Sequence, residues 1–264
     1  MSRAPGAENP NEAVWRGVLL GTDPGYRRSR RIFRRVPGAP RCKMCAVPFG
    51  GLGGPFMRAI GRGPWDKNPH YCGICFNILQ NVHGGAEIEC TLLFADVRGS
   101  TTLAEQMSPR DFHRLMTRFY TAAAKELVAH DGIVDKFVGD EVVAIFIPAL
   151  TGEKHAQRAL DAARVLLAVT GNEAGKPPWL PLGAGVHTGT AYVGAVGEGQ
   201  HTEFSALGDV VNVAARLASA ASAGEILVSD ATAAAAAIDL SGLEQRSLAL
   251  RGKSTPTGVV VMRA

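Results

Sequence analysis

Leu92-Leu93-Phe94-Ala95-Asp96-Val97-Arg98-Gly99-Ser100-Thr101 is the stretch on which the reading of this chain turns. From Ile88 to Val97 the run is apolar and strand-like, yet one carboxylate, Asp96, is embedded near its end. A buried strand keeps an Asp where the charge is paired, hydrogen-bonded or bound to a cation. Arg98-Gly99-Ser100-Thr101 then reads as a turn into a helix start, whose free backbone N–H groups suit an anion such as phosphate. A carboxylate beside such a turn is what a Mg²⁺-nucleotide site requires, because that ion takes carboxylate and phosphate oxygens together. The alternative is that Asp96 caps the helix that follows.

Downstream, Ser108-Pro109 announces a helix, with a capping hydroxyl and proline at the first helical position. Its apolar positions run through Phe112, Leu115, Met116, Phe119, Tyr120 and Leu127, and it stops around Asp131-Gly132. Two strands follow, Ile133–Val138 and Glu141–Ile147, joined by the tight turn Gly139-Asp140. That hairpin carries Lys136 on one arm and a second carboxylate, Asp140, at its tip. A helix over Lys154–Leu167 has the spacing of an amphipathic face. Leu182–Ala195 reads as a pair of strands punctuated by Gly183, Gly185, Gly189 and Gly194. Gly208-Asp209 opens a helix, Val210–Ala218, on which Asn212 and Arg216 stand four apart on one face. Glu225–Val228 and Val259–Met262 are short strands, with Arg251-Gly252-Lys253 in a turn ahead of the last. Hairpin-linked strands interleaved with helices predict an α+β domain with a mixed or antiparallel sheet, over residues 86–264.

Upstream the composition changes. Residues 1–85 carry 13 Lys/Arg against 4 Asp/Glu, and the remainder 15 against 20, so the net charge of +4 hides two differently built regions. Residues 1–40 are rich in Gly, Pro and Arg, and the run Arg27 to Arg35 reads as a solvated flexible arm. The other reading is a basic patch for nucleic acid or an acidic partner. Only Phe33 is interleaved as an aromatic, so nucleic acid is not expected. Residues 41–85 contain two C-x-x-C knuckles, Cys42/Cys45 and Cys72/Cys75, separated by 26 residues. Four thiolates on two tight turns can converge tetrahedrally on one Zn²⁺, and would equally hold an iron–sulfur cluster. The intervening segment, rich in Gly and Pro, has little to build a core from, so a metal would supply its stability. His70 and His83 lie nearby and are not required as ligands, while Cys90 reads as a core residue. Phe76 to Val82 reads as a short helical connector to the domain that follows.

At 264 residues, 46% hydrophobic, the chain can bury a sizeable core. It contains no apolar run of the ~18 residues a membrane helix needs, and Val14 to Leu20 is too short and interrupted for a signal peptide. A soluble, cytoplasmic protein with no membrane partner is the expectation.

With these residues together, Phe94 to Thr101, Lys136 to Glu141, Gly185-Val186-His187-Thr188-Gly189 and Gly208 to Arg216 resemble the class III adenylate/guanylate cyclase catalytic domain, in the right order and over roughly residues 86–264. The resemblance implies a ferredoxin-like sheet with extra strands, working as a head-to-tail homodimer with active sites at the interface. It implies that Asp96, Val97 and Asp140 hold two Mg²⁺ (or Mn²⁺) ions and that Gly99, Ser100 and Thr101 meet the substrate. Asn212 and Arg216 match the residues that orient the ribose and stabilise the transition state. Lys136 matches the purine-reading lysine, where guanylate cyclases carry an acid. Ser205 falls where many members have Asp and a subset Thr, and Arg251 where a triphosphate-binding Lys is common. ATP is the implied substrate and 3′,5′-cyclic AMP with pyrophosphate the implied products. The alternatives are a guanylate-using cyclase, or a nucleotide-sensing regulatory module whose Cys-rich arm binds a partner or nucleic acid. A diguanylate cyclase also presents a Gly-Asp-Glu turn, but the Asn212/Arg216 helix has no place in that family.

Overall fold

The computed structural model describes residues 11–65, 68–75, 84–173, 177–197, 203–249 and 256–264. Arg251, His83 and the Phe76–Val82 connector lie outside the described residues. The chain divides into two compact units.

The larger unit takes in Glu89–Ile147, Glu153–Ala191 and Gly208–Ala264. In chain order its helices are α4 (Ser100–Gln106), α5 (Pro109–Ala129), α7 (His155–Val169), α8 (Asp209–Ala220) and α9 (Asp230–Ala235). Its strands are β3 (Gly84–Val97, from Glu89), β4 (Ile133–Val138), β5 (Glu141–Phe146), β6 (Leu182–Val196, to Ala191), β8 (Glu225–Ser229), β9 (Glu244–Leu248) and β10 (Thr257–Arg263). Among the described residues the strand order is β4-β5-β3-β6-β8-β10-β9. β6 and β8 run parallel and the β3–β5, β4–β5, β8–β10 and β9–β10 pairs antiparallel, so the sheet is mixed, as expected.

Alternation along β10 shows that both faces are covered. Val260 and Met262 join a core with Phe119 and Leu127 of α5 and Leu160, Leu166 and Leu167 of α7. Val259 and Val261 face the other way and pack with Val213 and Leu217 of α8. A strand covered on both faces has no place for polar alternation, and all five residues of β8 are buried. Within this unit Ser108 caps α5 as the sequence predicts, its side chain accepting from Asp111 N–H at 3.2 Å.

The expected pair of glycine-punctuated strands is one continuous strand, β6, of 15 residues. Its glycines serve close approach and not turns. A Cβ on Gly185 would lie 2.3 Å from Ala218 N and 2.6 Å from Ala214 O, so glycine there is what lets α8 lie directly on the strand.

The smaller unit takes in the described parts of Met1–Ile88 with Pro148–Gly152 and Tyr192–Leu207. The described part of the expected arm contains two helices, α1 (Glu12–Leu19) and α2 (Pro24–Phe33). α1 buries Trp15, Val18 and Leu19. α2 starts at Asp23, whose side chain accepts from Tyr26 N–H at 2.9 Å, with proline at its first position. At eight and ten residues these helices are too short to show a long apolar period, and the arginines of α2 mask its turn signals. The unit continues through α3 (Gly53–Ala59), the antiparallel pair β1 (Pro64–Trp65) and β2 (Asn68–Cys72), α6 (Pro148–Thr151) and β7 (Glu203–Leu207). β7 pairs antiparallel with the last turn of β6, Gly194 opposite Ser205 and Ala195 opposite Phe204.

Candidate active site

The antiparallel register of β3 and β5 decides the chemistry at their shared end. Asp96 stands opposite Glu141, and Val97 N–H donates to the Asp140 carbonyl at 3.2 Å. Gly139, at φ +59, turns the β4–β5 hairpin so that Asp140 sits at its tip beside Asp96. Tyr120 of α5 donates its hydroxyl to the Gly139 carbonyl and so ties that tip to the helix. Three carboxylates from two strands thus share one end of the sheet.

The electrostatics record their crowding. Asp96 is held above the usual carboxylate range by burial and by Asp140, although the Arg98 guanidinium opposes this. Glu141 is pushed up to about 7 by burial, then by Asp96 and Asp140. Arg98 forms an ion pair with Asp96 and also donates to the Ser219 carbonyl at 2.9 Å, linking the β3 end to the last turn of α8. Asp96 is therefore no helix cap. That position is Gly99, at φ +70, from which α4 departs. Ser100 and Thr101 open α4 and, with Asp140, line a groove of about 690 Å³ that also takes in Phe112, Met116 and Tyr120 of α5.

Asn212 and Arg216 sit on the outward side of α8, opposite the buried face of Val210, Val213, Ala214 and Leu217. Lys136 is exposed on the edge strand β4, 3.6 Å from the Asp135 carboxylate. Ser205 belongs to the smaller unit and is buried in β7. Arg251 is outside the described residues, so its expected role carries no geometry.

The family described as the adenylate and guanylate cyclase catalytic domain matches residues 85–262. The chain belongs to that family. Adenylate cyclase 1 of Rhizobium meliloti is 35% identical over 137 residues, 49% of this chain and 20% of that protein. An adenylate cyclase of Anabaena cylindrica is 32% identical over 146 residues, 53% of this chain and 29% of that protein. The chain thus spans less than a third of the length of these curated relatives. The crystal structure of the guanylyl cyclase Cya2 superposes with a TM-score of 0.60 at 27% identity, over 67% of this chain and 93% of that one. The adenylyl cyclase CyaB from P. aeruginosa gives 0.59 at 28% identity, over 67% and 95%.

Class III cyclases use divalent metals, and the residues of this cyclase domain fit such ions. Asp96 and Asp140 offer carboxylate oxygens at one point, and Asp96 and Glu141 are raised first by burial and then by the neighbouring carboxylates. Val97 has an apolar side chain, so only its carbonyl could join them. Glu141 is the residue that sequence reading passes over, as merely the start of a strand. The Asp140-Glu141 pair was its signal, but only the register to Asp96 gives that pair a third partner.

Cys42, Cys45, Cys72 and Cys75 form a second site, in the smaller unit. All four are buried, and their Sγ atoms lie within 4.8 Å of one another, with Cys45 and Cys72 3.7 Å apart. Zn–S bonds of about 2.3 Å at tetrahedral angles put neighbouring sulfurs roughly 3.8 Å apart. Cys45 and Cys72 already stand at that spacing, so the four-cysteine cluster could bind a metal ion. Cys72 N–H also reaches Cys42 Sγ at 3.3 Å. Cys42 is held below the ordinary thiol range by hydrogen bonds from Cys45, Cys72 and Cys75, while Cys75 is driven above it by its neighbours and by burial. Cys90, in β3, is a buried core thiol pushed up to about 12 by burial, as its expected core role requires.

Proposed function

We propose that this chain is an adenylate cyclase, converting ATP to 3′,5′-cyclic AMP and pyrophosphate at a homodimer interface. The observation that carries the reading is the carboxylate cluster of Asp96, Asp140 and Glu141 beside Ser100 and Thr101, within a chain of this family. In the reaction the 3′-hydroxyl loses its proton to water, the O3′–Pα bond forms, and the bond from Pα to the bridging oxygen breaks to release pyrophosphate. Two bound Mg²⁺ (or Mn²⁺) ions would lower the pKa of that hydroxyl and offset the charge of the leaving group. Asp96 and Asp140 hold the ions, with the Val97 carbonyl beside them. The start of α4, Gly99 to Thr101, receives phosphate oxygens on backbone N–H groups and hydroxyls. Asn212 orients the ribose, and Arg216 opposes the charge that builds on the phosphoryl oxygens, with Arg251 assigned to the triphosphate.

Lys136 and Ser205 read the purine. A lysine donates to a ring nitrogen of adenine, and a hydroxyl accepts from its exocyclic amino group. The two relatives named adenylate cyclase support ATP. A hydroxyl also donates, so Ser205 rejects guanine less strongly than a carboxylate would, and GTP is the second substrate to try. Exposed Phe137 and Val138, on edge strand β4 beside Lys136, support a second copy as partner. The helix face of Asn212 and Arg216 is assigned to the opposite protomer from Asp96 and Asp140.

At the cysteines we assign one structural Zn²⁺ in a closed tetrahedral site, given the sulfur spacing. Five free thiols suit a reducing cytoplasm. Among the described residues no helix is long and apolar enough to cross a membrane. The test is cyclic nucleotide production by purified protein with Mg²⁺ or Mn²⁺, comparing ATP and GTP. ATP turnover above GTP turnover is expected, and cyclic GTP as the dominant product would reverse the base assignment. Mixing Asp96→Ala and Arg216→Ala chains should restore activity that neither has alone. No recovery between chains shown to exchange would refute shared sites.

A further inference from the structure

β7, which carries Ser205, is a five-residue strand, and among the described residues it pairs only with β6. So short an edge strand depends on side-chain burial for its place in the sheet. Phe204, next to Ser205 and pointing to the opposite face, is buried with Ser205 and Ala206, and its ring packs on Trp15 of α1. The two rings stack with centroids 6.4 Å apart and planes 22° from parallel, Trp15 being 3% and Phe204 6% exposed.

α1 cannot hold that position by itself, because a helix of eight residues is marginal in water without tertiary support. Its C-terminal end turns back on Gly17, whose carbonyl accepts from Thr22 N–H at 2.8 Å and Asp23 N–H at 2.9 Å. α2 follows immediately, with no buried residue of its own. It is held instead by the cysteine knuckles. Arg30 donates to the Lys43 carbonyl, between Cys42 and Cys45, at 2.9 Å. Arg41, next to Cys42, donates to the Phe33 carbonyl at 2.7 Å. Every contact in this series lies within the smaller unit.

We propose that the four-cysteine site anchors a clamp in which α2 and α1 hold Trp15 on Phe204, so that Trp15 is a positioning residue for Ser205. Because neighbouring strand residues face opposite sides, a slip or fraying of β7 that freed Phe204 would turn Ser205 away from the base. Metal occupancy at Cys42, Cys45, Cys72 and Cys75 then bears on purine recognition without any cysteine touching substrate. The inference rests on the reading of Ser205 as a base-contacting residue.

The experiment is deuterium exchange of residues 203–207 in the full chain, with bound Zn²⁺ measured alongside. Trp15→Ala should keep one Zn²⁺ per chain while exchange in 203–207 becomes about tenfold faster. KM for ATP should rise about fivefold with kcat changing less, and the ATP-over-GTP preference should fall. Trp15→Phe should restore most of the protection and of KM. Stripping Zn²⁺ from the parent chain with a chelator should accelerate exchange in the same segment, and adding Zn²⁺ back should reverse it. Unchanged exchange in 203–207 after either Trp15→Ala or stripping overturns the clamp, as does a chain that binds no metal. Failure to form any cyclic nucleotide would instead remove the cyclase reading, and the exchange comparison would still decide the clamp.

Discussion

Cys42, Cys45, Cys72 and Cys75 meet among short helices, a turn and the short β1–β2 pair that ends at Cys72, whereas Asp96, Asp140 and Glu141 meet at the end of a sheet packed on both faces. The thiols converge in a segment that buries few large side chains, among them Val47, Phe49 and Tyr71. Such a segment would gain order from an ion joining its knuckles, as proposed for these four cysteines. The carboxylates converge because β3 and β5 are fixed by the core beneath them, and they do so against their mutual repulsion. In the first region the thiols stand close where little else is packed. In the second the fold itself brings the carboxylates together.

The largest expected effect separates the two regions. Replacing Cys72 with Ser removes a ligand whose site contributes folding free energy on the order of 10 kcal/mol in small zinc domains. Residues 41–65 and 68–75 should lose protection from proteolysis and exchange, while β3, β5 and α5 keep theirs. Retention of bound Zn²⁺ and of protection would show that the segment does not need its ion.

Asp96→Ala probes the other side. Cyclase activity should fall about 10³-fold, as expected when several kcal/mol of metal-borne stabilisation is lost. The melting temperature should stay within a few degrees, because the change removes one of three crowded carboxylates from a sheet end whose core is untouched. Unfolding of this variant would mean that the active-site carboxylate is structural, and the contrast between the regions would collapse.

The smallest effect sharpens the contrast. Glu141 has its pKa raised from 4.5 to about 7, so the folded state binds more protons than the unfolded one between those values. Stability therefore falls as pH rises through that window, and the deficit is complete above it. Glu141→Gln should stabilise metal-free protein at pH 8 by about 1 kcal/mol after allowance for solvent screening, read as a higher melting temperature, and leave stability unchanged near pH 4. Mg²⁺ should shrink the gain, since the ion relieves the same repulsion in the parent. A variant less stable than the parent at pH 8 without metal would show that Glu141 is held by a favourable partner and not by compression.

Much of this was legible locally. An Asp inside an apolar strand, a Gly-Asp turn, a helix with Asn212 and Arg216 four apart, and each C-x-x-C knuckle carry their meaning within about ten residues, where spacing and turn chemistry act. Ser108 as a cap and the α5, β4, β5 and α7 spans followed from the same short-range rules. What sequence could not decide depended on residues far apart in the chain. Glu141 becomes part of the carboxylate cluster only through its register with Asp96, 45 positions away. The glycines of β6 looked like turns because a missing Cβ means either a bend or a close neighbour, and only the α8 backbone lying on Gly185 tells which. Trp15 sat in an apparently formless basic arm, and its role depends on Phe204, nearly two hundred residues later. Residue types and local spacing determine which chemistry the chain can do, because caps, turns and ligand pairs act over a few bonds. Where that chemistry is assembled, and what steadies it, is decided by packing, because burial is shared among segments that no local pattern connects.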